Sequence, residues 1–99
     1  MNVIGINVII LFIKQHADSR PWLNSFLAEA SQAFWKNIVD VRLMYPHADA
    51  VGSCTVFNIK GNKYRLITKI DYPTGTLQIK RVLTHAEYNK EKWKKDCGG

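Results

Sequence analysis

Lys63-Tyr64-Arg65-Leu66-Ile67-Thr68-Lys69-Ile70-Asp71-Tyr72 lies between two turn signals, Gly61-Asn62 before it and Pro73-Thr74-Gly75 after it. Side chains alternate across a strand, so an extended reading puts Lys63, Arg65, Ile67, Lys69 and Asp71 on one face. Tyr64, Leu66, Thr68, Ile70 and Tyr72 take the other. The second face suits packing against helices. The first is largely cationic and is expected to be open. The turns make Thr55–Lys60 the preceding strand and Thr76–Leu83 the following one, and short connections predict an antiparallel meander. A two-residue loop at Pro73-Thr74 sets Lys69 opposite Gln78, Ile67 opposite Lys80 and Arg65 opposite Val82. Lys80 then joins the Arg65 face and Arg81 the apolar one; a three-residue loop exchanges them.

Before this meander the apolar period is helical. Asp18-Ser19-Arg20-Pro21 is a helix start, with a capping side chain and an early proline. Trp22, Leu23, Phe26, Leu27, Ala30, Ala33 and Phe34 follow as an apolar stripe that reads as core. A shorter helix is expected over Trp35–Leu43, ended by Tyr45-Pro46. Met1–Ile6 reads as a buried strand, with Asn7 capping a buried helix over Val8–His16. The apolar run Val3–Ile13 is interrupted by Gly5 and Asn7 and falls well short of the roughly twenty residues a membrane-spanning helix needs. It also lacks the basic flank and small-residue cleavage site of a signal peptide. After the meander, Thr84-His85-Ala86-Glu87 fits a capping box, placing His85 in the first turn of a final helix with Tyr88 beside it. The positive end of that helix and the neighbouring cations disfavour an imidazolium there. The order β-α-α-β-β-β with a closing helix is α+β, expected as a single domain over residues 1–99.

Charge is divided unevenly. Lys14, Arg20, Lys36 and Arg42 balance Asp18, Glu29, Asp40 and Asp49, so the whole net charge of +6 falls after Gly52. Such asymmetry is the footprint expected of a surface that meets a polyanion through counterion release, and the interleaved Tyr64, Tyr72, Tyr88 and Trp93 are candidates to stack on bases. A hydrophobic content of 46% argues for a folded globule rather than a disordered basic tail. Cys54 and Cys97 are too few and too scattered to suggest a disulfide framework, which points to a reducing, cytoplasmic setting. His16, His47, His85 and the two cysteines show no recurring metal spacing, so neither metal nor other cofactor is expected.

Two blocks together carry a resemblance. Val56-Phe57-Asn58-Ile59-Lys60-Gly61-Asn62-Lys63-Tyr64-Arg65-Leu66-Ile67, followed about twenty residues later by Thr84-His85-Ala86-Glu87-Tyr88-Asn89-Lys90, resembles the HigB-type toxins of the RelE/ParE superfamily. With Trp35-Lys36 and Asp40-Val41 the likeness extends over the chain from about Asp18 onward. It implies a RelE-like fold: N-terminal helices packed on a small twisted antiparallel β-sheet, with a short C-terminal helix. It also implies a toxin of a type II toxin–antitoxin system that cleaves messenger RNA, commonly on the ribosome, and is restrained by a HigA-type antitoxin. The implied chemistry is metal-independent: the ribose 2′-hydroxyl attacks phosphorus, leaving a cyclic phosphate and a 5′-hydroxyl.

By position, Arg65 matches the family's arginine after the Gly-Asn turn, for phosphate stabilisation. His85 is the candidate acid or base, and Tyr88 a candidate for proton transfer or base stacking. Lys80 stands where relatives typically carry an arginine. Lys60, Asn62, Lys63, Lys69 and Arg81 would position the RNA backbone. The apolar segment Asn7–Ile13 departs from the polar, basic first helix usual among relatives. ParE-like members poison DNA gyrase instead of cutting RNA, so the alternative is a non-catalytic toxin docking on nucleic acid or gyrase.

Overall fold

In the computed structural model, which describes residues 1–98, the meander forms where the turns predict. Strands β1 (Asn2–Ile4), β2 (Asp49–Val51), β3 (Cys54–Ile59), β4 (Tyr64–Asp71) and β5 (Thr76–Thr84) make one sheet in the order β1-β5-β4-β3-β2. β2, β3, β4 and β5 are antiparallel to their neighbours in turn. The sheet is nevertheless mixed, which corrects the antiparallel expectation: β1 runs parallel to β5, pairing Asn2 with Thr76 and Ile4 with Gln78. Hairpin loops force antiparallel pairing only between consecutive strands. β1 reaches the β5 edge across the intervening helices, so no such constraint binds it.

Helices α1 (Ile6–Gln15), α2 (Arg20–Gln32), α3 (Ile38–Met44) and α4 (His85–Asn89) complete the main elements, with a 3-10 turn at Ala17–Ser19 and a 3-10 segment at Lys92–Cys97. Gly5, not Asn7, caps α1, in a left-handed conformation with φ of 84°. A Cβ at Gly5 would stand 2.6 Å from the Ile79 carbonyl oxygen, so the step from β1 into α1 passes too close to β5 for any side chain. α1 is amphipathic rather than buried throughout. Ile9, Phe12 and Ile13 are covered, while Ile10 and Leu11 face outward. On α2 the stripe buries Leu23, Phe26 and Ala30, but the helix stops at Gln32 and leaves Phe34 91% exposed. α3 is capped by Asn37, whose side chain accepts from the Asp40 N–H.

One face of the sheet carries the main core. Ile9, Phe12, Leu23 and Phe26 pack there on Phe57, Ile59, Leu66 and Leu77. Phe26 also meets the rings of Trp22, Tyr45 and Phe57, with centroids 4.8–5.5 Å away. The opposite face holds a second, smaller core of Cys54, Val56, Ile67, Leu83, Trp93 and Cys97. The expectation of an open cationic face is therefore corrected. The Lys92–Cys97 segment folds back over it, and both Ile67 and Arg65 are buried.

Cys54 and Cys97 are joined by a disulfide with their Cα atoms 5.2 Å apart, contrary to the expectation drawn from their distance in sequence. Gly52 permits the approach: a Cβ there would fall 2.0 Å from the Cys97 carbonyl oxygen. The Ser53 N–H donates to that same oxygen at 2.9 Å.

Candidate functional site

Arg65 sits on β4, opposite Asn58 of β3 and Leu83 of β5. It is 8% exposed, and its guanidinium is oriented by neutral groups. Nη1 donates to the Tyr64 carbonyl and Nη2 to Asn62 Oδ1, both at 3.1 Å. The group lies over the Tyr88 ring, 5.0 Å from its centroid. Among the described residues no carboxylate pairs with Arg65. A buried cation held by neutral acceptors, with no anion of its own, is arranged to receive one.

α4 delivers Tyr88. The capping box forms as the sequence indicates: Thr84 Oγ1 accepts from the Glu87 N–H at 3.3 Å, and Glu87 Oε1 accepts from the Thr84 N–H at 3.0 Å. The Thr84 backbone N–H bond holds the Glu87 carboxyl below its ordinary range. Thr84 pairs with Tyr64, so α4 starts at the end of β4 that carries Arg65. His85, the next residue, is exposed. The Tyr88 ring is stacked on Trp93, with centroids 4.9 Å apart and an interplanar angle of 13°. Trp93 Nε1–H also donates to the Tyr88 carbonyl at 2.9 Å.

Register settles where Lys80 and Arg81 lie. Lys69 opposes Gln78, as a two-residue loop predicts, but the pairing shifts between Thr68↔Ile79 and Ile67↔Arg81. The extra residue of this bulge is Lys80. Ile79 and Val82 both belong to the main core, so the two residues between them share the opposite face with Arg65. The expected pairings of Ile67 with Lys80 and Arg65 with Val82 are thus replaced, and Arg81 is not on the apolar face. Arg81 Nε pairs with Asp96 at 3.0 Å. It lines a cleft of about 410 Å³ with Leu83, Glu87, Lys90, Lys92 and Trp93. Lys90 and Lys92 bring two further cations to this cleft beside α4.

Other predicted residues lie apart. Lys63 precedes β4 in the turn, where strand alternation does not apply, and it does not share the Arg65 face. Its Nζ meets Asp18, which also lies 3.8 Å from Lys60 Nζ and accepts from Tyr64 Oη at 2.8 Å. The Lys63 and Tyr64 bonds hold the Asp18 carboxyl down to about 2, and the same carboxylate raises both Lys63 and the Tyr64 phenol. Lys69 is half-buried further along β4, at about 13 Å from Arg65 by strand rise. Asn62 connects Arg65 to a cleft of about 550 Å³ that includes Trp22, Tyr45, His47 and Asn58 in its lining. Asp18 was not legible as part of its network because Lys60, Lys63 and Tyr64 are remote from it in sequence. Trp93 lies five residues from Tyr88, but nothing periodic marks the two as a stack.

No helix among the described residues is long and apolar enough to cross a membrane. Among curated proteins no sequence matches the chain. A family model described as HigB_toxin, RelE-like toxic component of a toxin-antitoxin system, matches residues 19–91, a span that includes β3, β4, β5, α4 and the Arg65–Tyr88 pair. The chain belongs to this family and is the toxin component of a toxin–antitoxin system, which implies an antitoxin partner.

Proposed function

We propose that the chain is an endoribonuclease that cuts messenger RNA by attack of the ribose 2′-hydroxyl on the adjacent phosphorus. The observation that carries this reading is Arg65, a buried guanidinium with neutral partners and no carboxylate among the described residues. Its fork fits the non-bridging oxygens of a phosphate and stabilises the extra negative charge of the phosphorane. Lys80, on the same face, adds charge without bidentate geometry. His85 at the exposed start of α4 removes the 2′-hydroxyl proton as the new O–P bond forms. The Tyr88 hydroxyl returns a proton to the departing 5′-oxygen as the P–O5′ bond breaks. The products are a 2′,3′-cyclic phosphate and a 5′-hydroxyl.

Arg81, Lys90 and Lys92 around the cleft beside α4 guide the RNA backbone, and the aromatic cleft beside Asn62 receives a neighbouring base. Lys60, Lys63 and Lys69 lie outside this group and serve the outer RNA path or the ribosome. The inhibitory partner is a HigA-type antitoxin, and the messenger substrate implies a cytoplasmic site of action.

The test is 5′-end mapping of one messenger incubated with the purified chain in chelator, with and without translating ribosomes added in magnesium. Cuts on free RNA in chelator support a self-sufficient nuclease, and cuts only with ribosomes a ribosome-dependent one. Arg65→Ala and His85→Ala are expected to abolish either pattern with the far-ultraviolet circular dichroism spectrum retained. Wild-type cutting by both variants would reject the site. No cutting by the wild-type chain in any condition would favour a non-catalytic toxin acting on nucleic acid or DNA gyrase.

A further inference from the structure

Tyr88, which holds the Arg65 guanidinium, is itself held by a segment that has little structure of its own. Lys92–Cys97 is a 3-10 run, an element with poor hydrogen-bond geometry and little independent stability. It is entered through Glu91 at φ of 60°, a left-handed conformation costly for a residue with a Cβ. Its ion pairs, Arg81–Asp96 and Lys94–Glu91, are substantially exposed and contribute little. Two side chains fasten it. Trp93, 3% exposed, stacks on Tyr88, and Cys97, 1% exposed, is bonded to Cys54 at the start of β3.

From this chain of contacts we infer that Trp93 is a positioning residue for the Arg65–Tyr88 pair, and that the Cys54–Cys97 disulfide latches it there, so that the thiol state of the protein decides whether the site is assembled. Closing the latch is a thiol–disulfide exchange. Two cysteine thiols give up two electrons and two protons to an oxidised dithiol or small-molecule disulfide, which leaves as two thiols while the Sγ–Sγ bond forms. Opening is the reverse, with a dithiol donor. In the open form, the covalent one of the two buried side-chain anchors of Lys92–Cys97 is gone, Trp93 leaves Tyr88, and Arg65 loses the ring that orients it. The toxin is then assembled under oxidising conditions and slack under reducing ones. The statement about activity rests on the nuclease reading given above; the statement about geometry does not.

The full-length chain tests both. The Arg65 side-chain Nε–Hε resonance, assigned by its absence in Arg65→Lys, is followed in the ¹⁵N-labelled protein with the bridge closed and after reduction by dithiothreitol. Amides of Leu23, Phe26 and Leu77 report whether the main core stays intact. Reduction is expected to move the Arg65 resonance toward the position of a mobile arginine while those amides hold. Trp93→Ala, with the bridge closed, is expected to do the same without any redox change, and Trp93→Phe to restore most of the wild-type position.

In cleavage assays, reduction and Trp93→Ala are expected to lower kcat by about tenfold or more with KM within about twofold, since a displaced catalytic group costs rate more than binding. An Arg65 resonance unmoved by reduction and by Trp93→Ala overturns the proposal, and so does a moved resonance with undiminished cleavage. A moved resonance with no cleavage in either redox state overturns the nuclease reading and leaves the latch standing.

Discussion

Arg65 sets the terms at the scale of single residues. Removing a cation from water costs several kcal/mol, and in Arg65 that cost is met by two neutral acceptors and one aromatic face. Lysine keeps the charge but presents neither a planar face to Tyr88 nor two separated donors to Tyr64 and Asn62. Arg65→Lys is therefore expected to lose more than tenfold in cleavage rate and to melt below wild type, both read against Arg65→Ala. A lysine variant as active as wild type would reject the bidentate role.

Asp18 is the contrasting case, a charge held by opposite charges. Its carboxyl is held down to about 2 by Lys63 and Tyr64, so in the folded chain it stays ionised well below the ordinary carboxylate range. Stability from this depressed group is fully present above its unfolded value near 4, and is lost as pH falls from about 4 through about 2. Urea midpoints of wild type and Asp18→Asn should differ at pH 7 and converge near pH 2. A difference that persists at pH 2 would mean that packing, not ionisation, separates them. Arg65 was legible as a candidate from its block in the sequence. Its burial was not, because the Tyr88 ring that covers its guanidinium comes from α4, beyond the next strand.

At the scale of elements, α4 and β5 behave differently. The Thr84–Glu87 box is encoded within four consecutive residues, so local hydrogen bonding alone specifies it, and the start of α4 was readable in advance. Thr84→Ala is expected to cost about 1 kcal/mol and to lower cleavage by loosening Tyr88, whereas Thr84→Ser should stay within a few tenths of a kcal/mol of wild type in urea unfolding. Equal losses in both variants would point to the threonine methyl rather than the cap. The bulge at Lys80 belongs to the other category. Loop length fixes the register near Gly75, but the extra residue further along β5 is placed by Ile79 and Val82 both seeking the main core. That choice also puts Lys80 and Arg81 on one face. The parallel pairing of β1 was equally hidden, since a three-residue strand joined through helices carries no directional signal in its own residues.

For the whole molecule, the disulfide and the charge distribution matter most. A bridge across a sequence separation of 43 stabilises by about 4 kcal/mol in the loop-closure account. Cys54→Ser is thus expected to lower unfolding free energy by a few kcal/mol, with a drop of under 1 kcal/mol arguing that the closed loop is compact even when unfolded. Not every cation after Gly52 is free to meet a phosphate, because Lys60 and Lys63 are engaged by Asp18, and Arg81 by Asp96. Affinity for single-stranded RNA should fall with log salt at a slope corresponding to about three or four phosphates, and Asp96→Asn should strengthen binding by freeing Arg81. An unchanged affinity in that variant would place Arg81 outside the RNA path.

By itself the sequence determined the α+β class, the β3–β4–β5 meander, the capped start of α4 and the cationic second half. Each of these follows from periodicity, turn chemistry or charge acting over a few residues. Only the tertiary structure decided that Cys54 meets Cys97, that Trp93 supports Tyr88 against Arg65, and that Asp18 collects two of the lysines. The disulfide, the Tyr88–Arg65 stack and the Asp18 pairs join residues separated by tens of positions. The Trp93–Tyr88 stack, though local in sequence, is set as the second face of the sheet is covered.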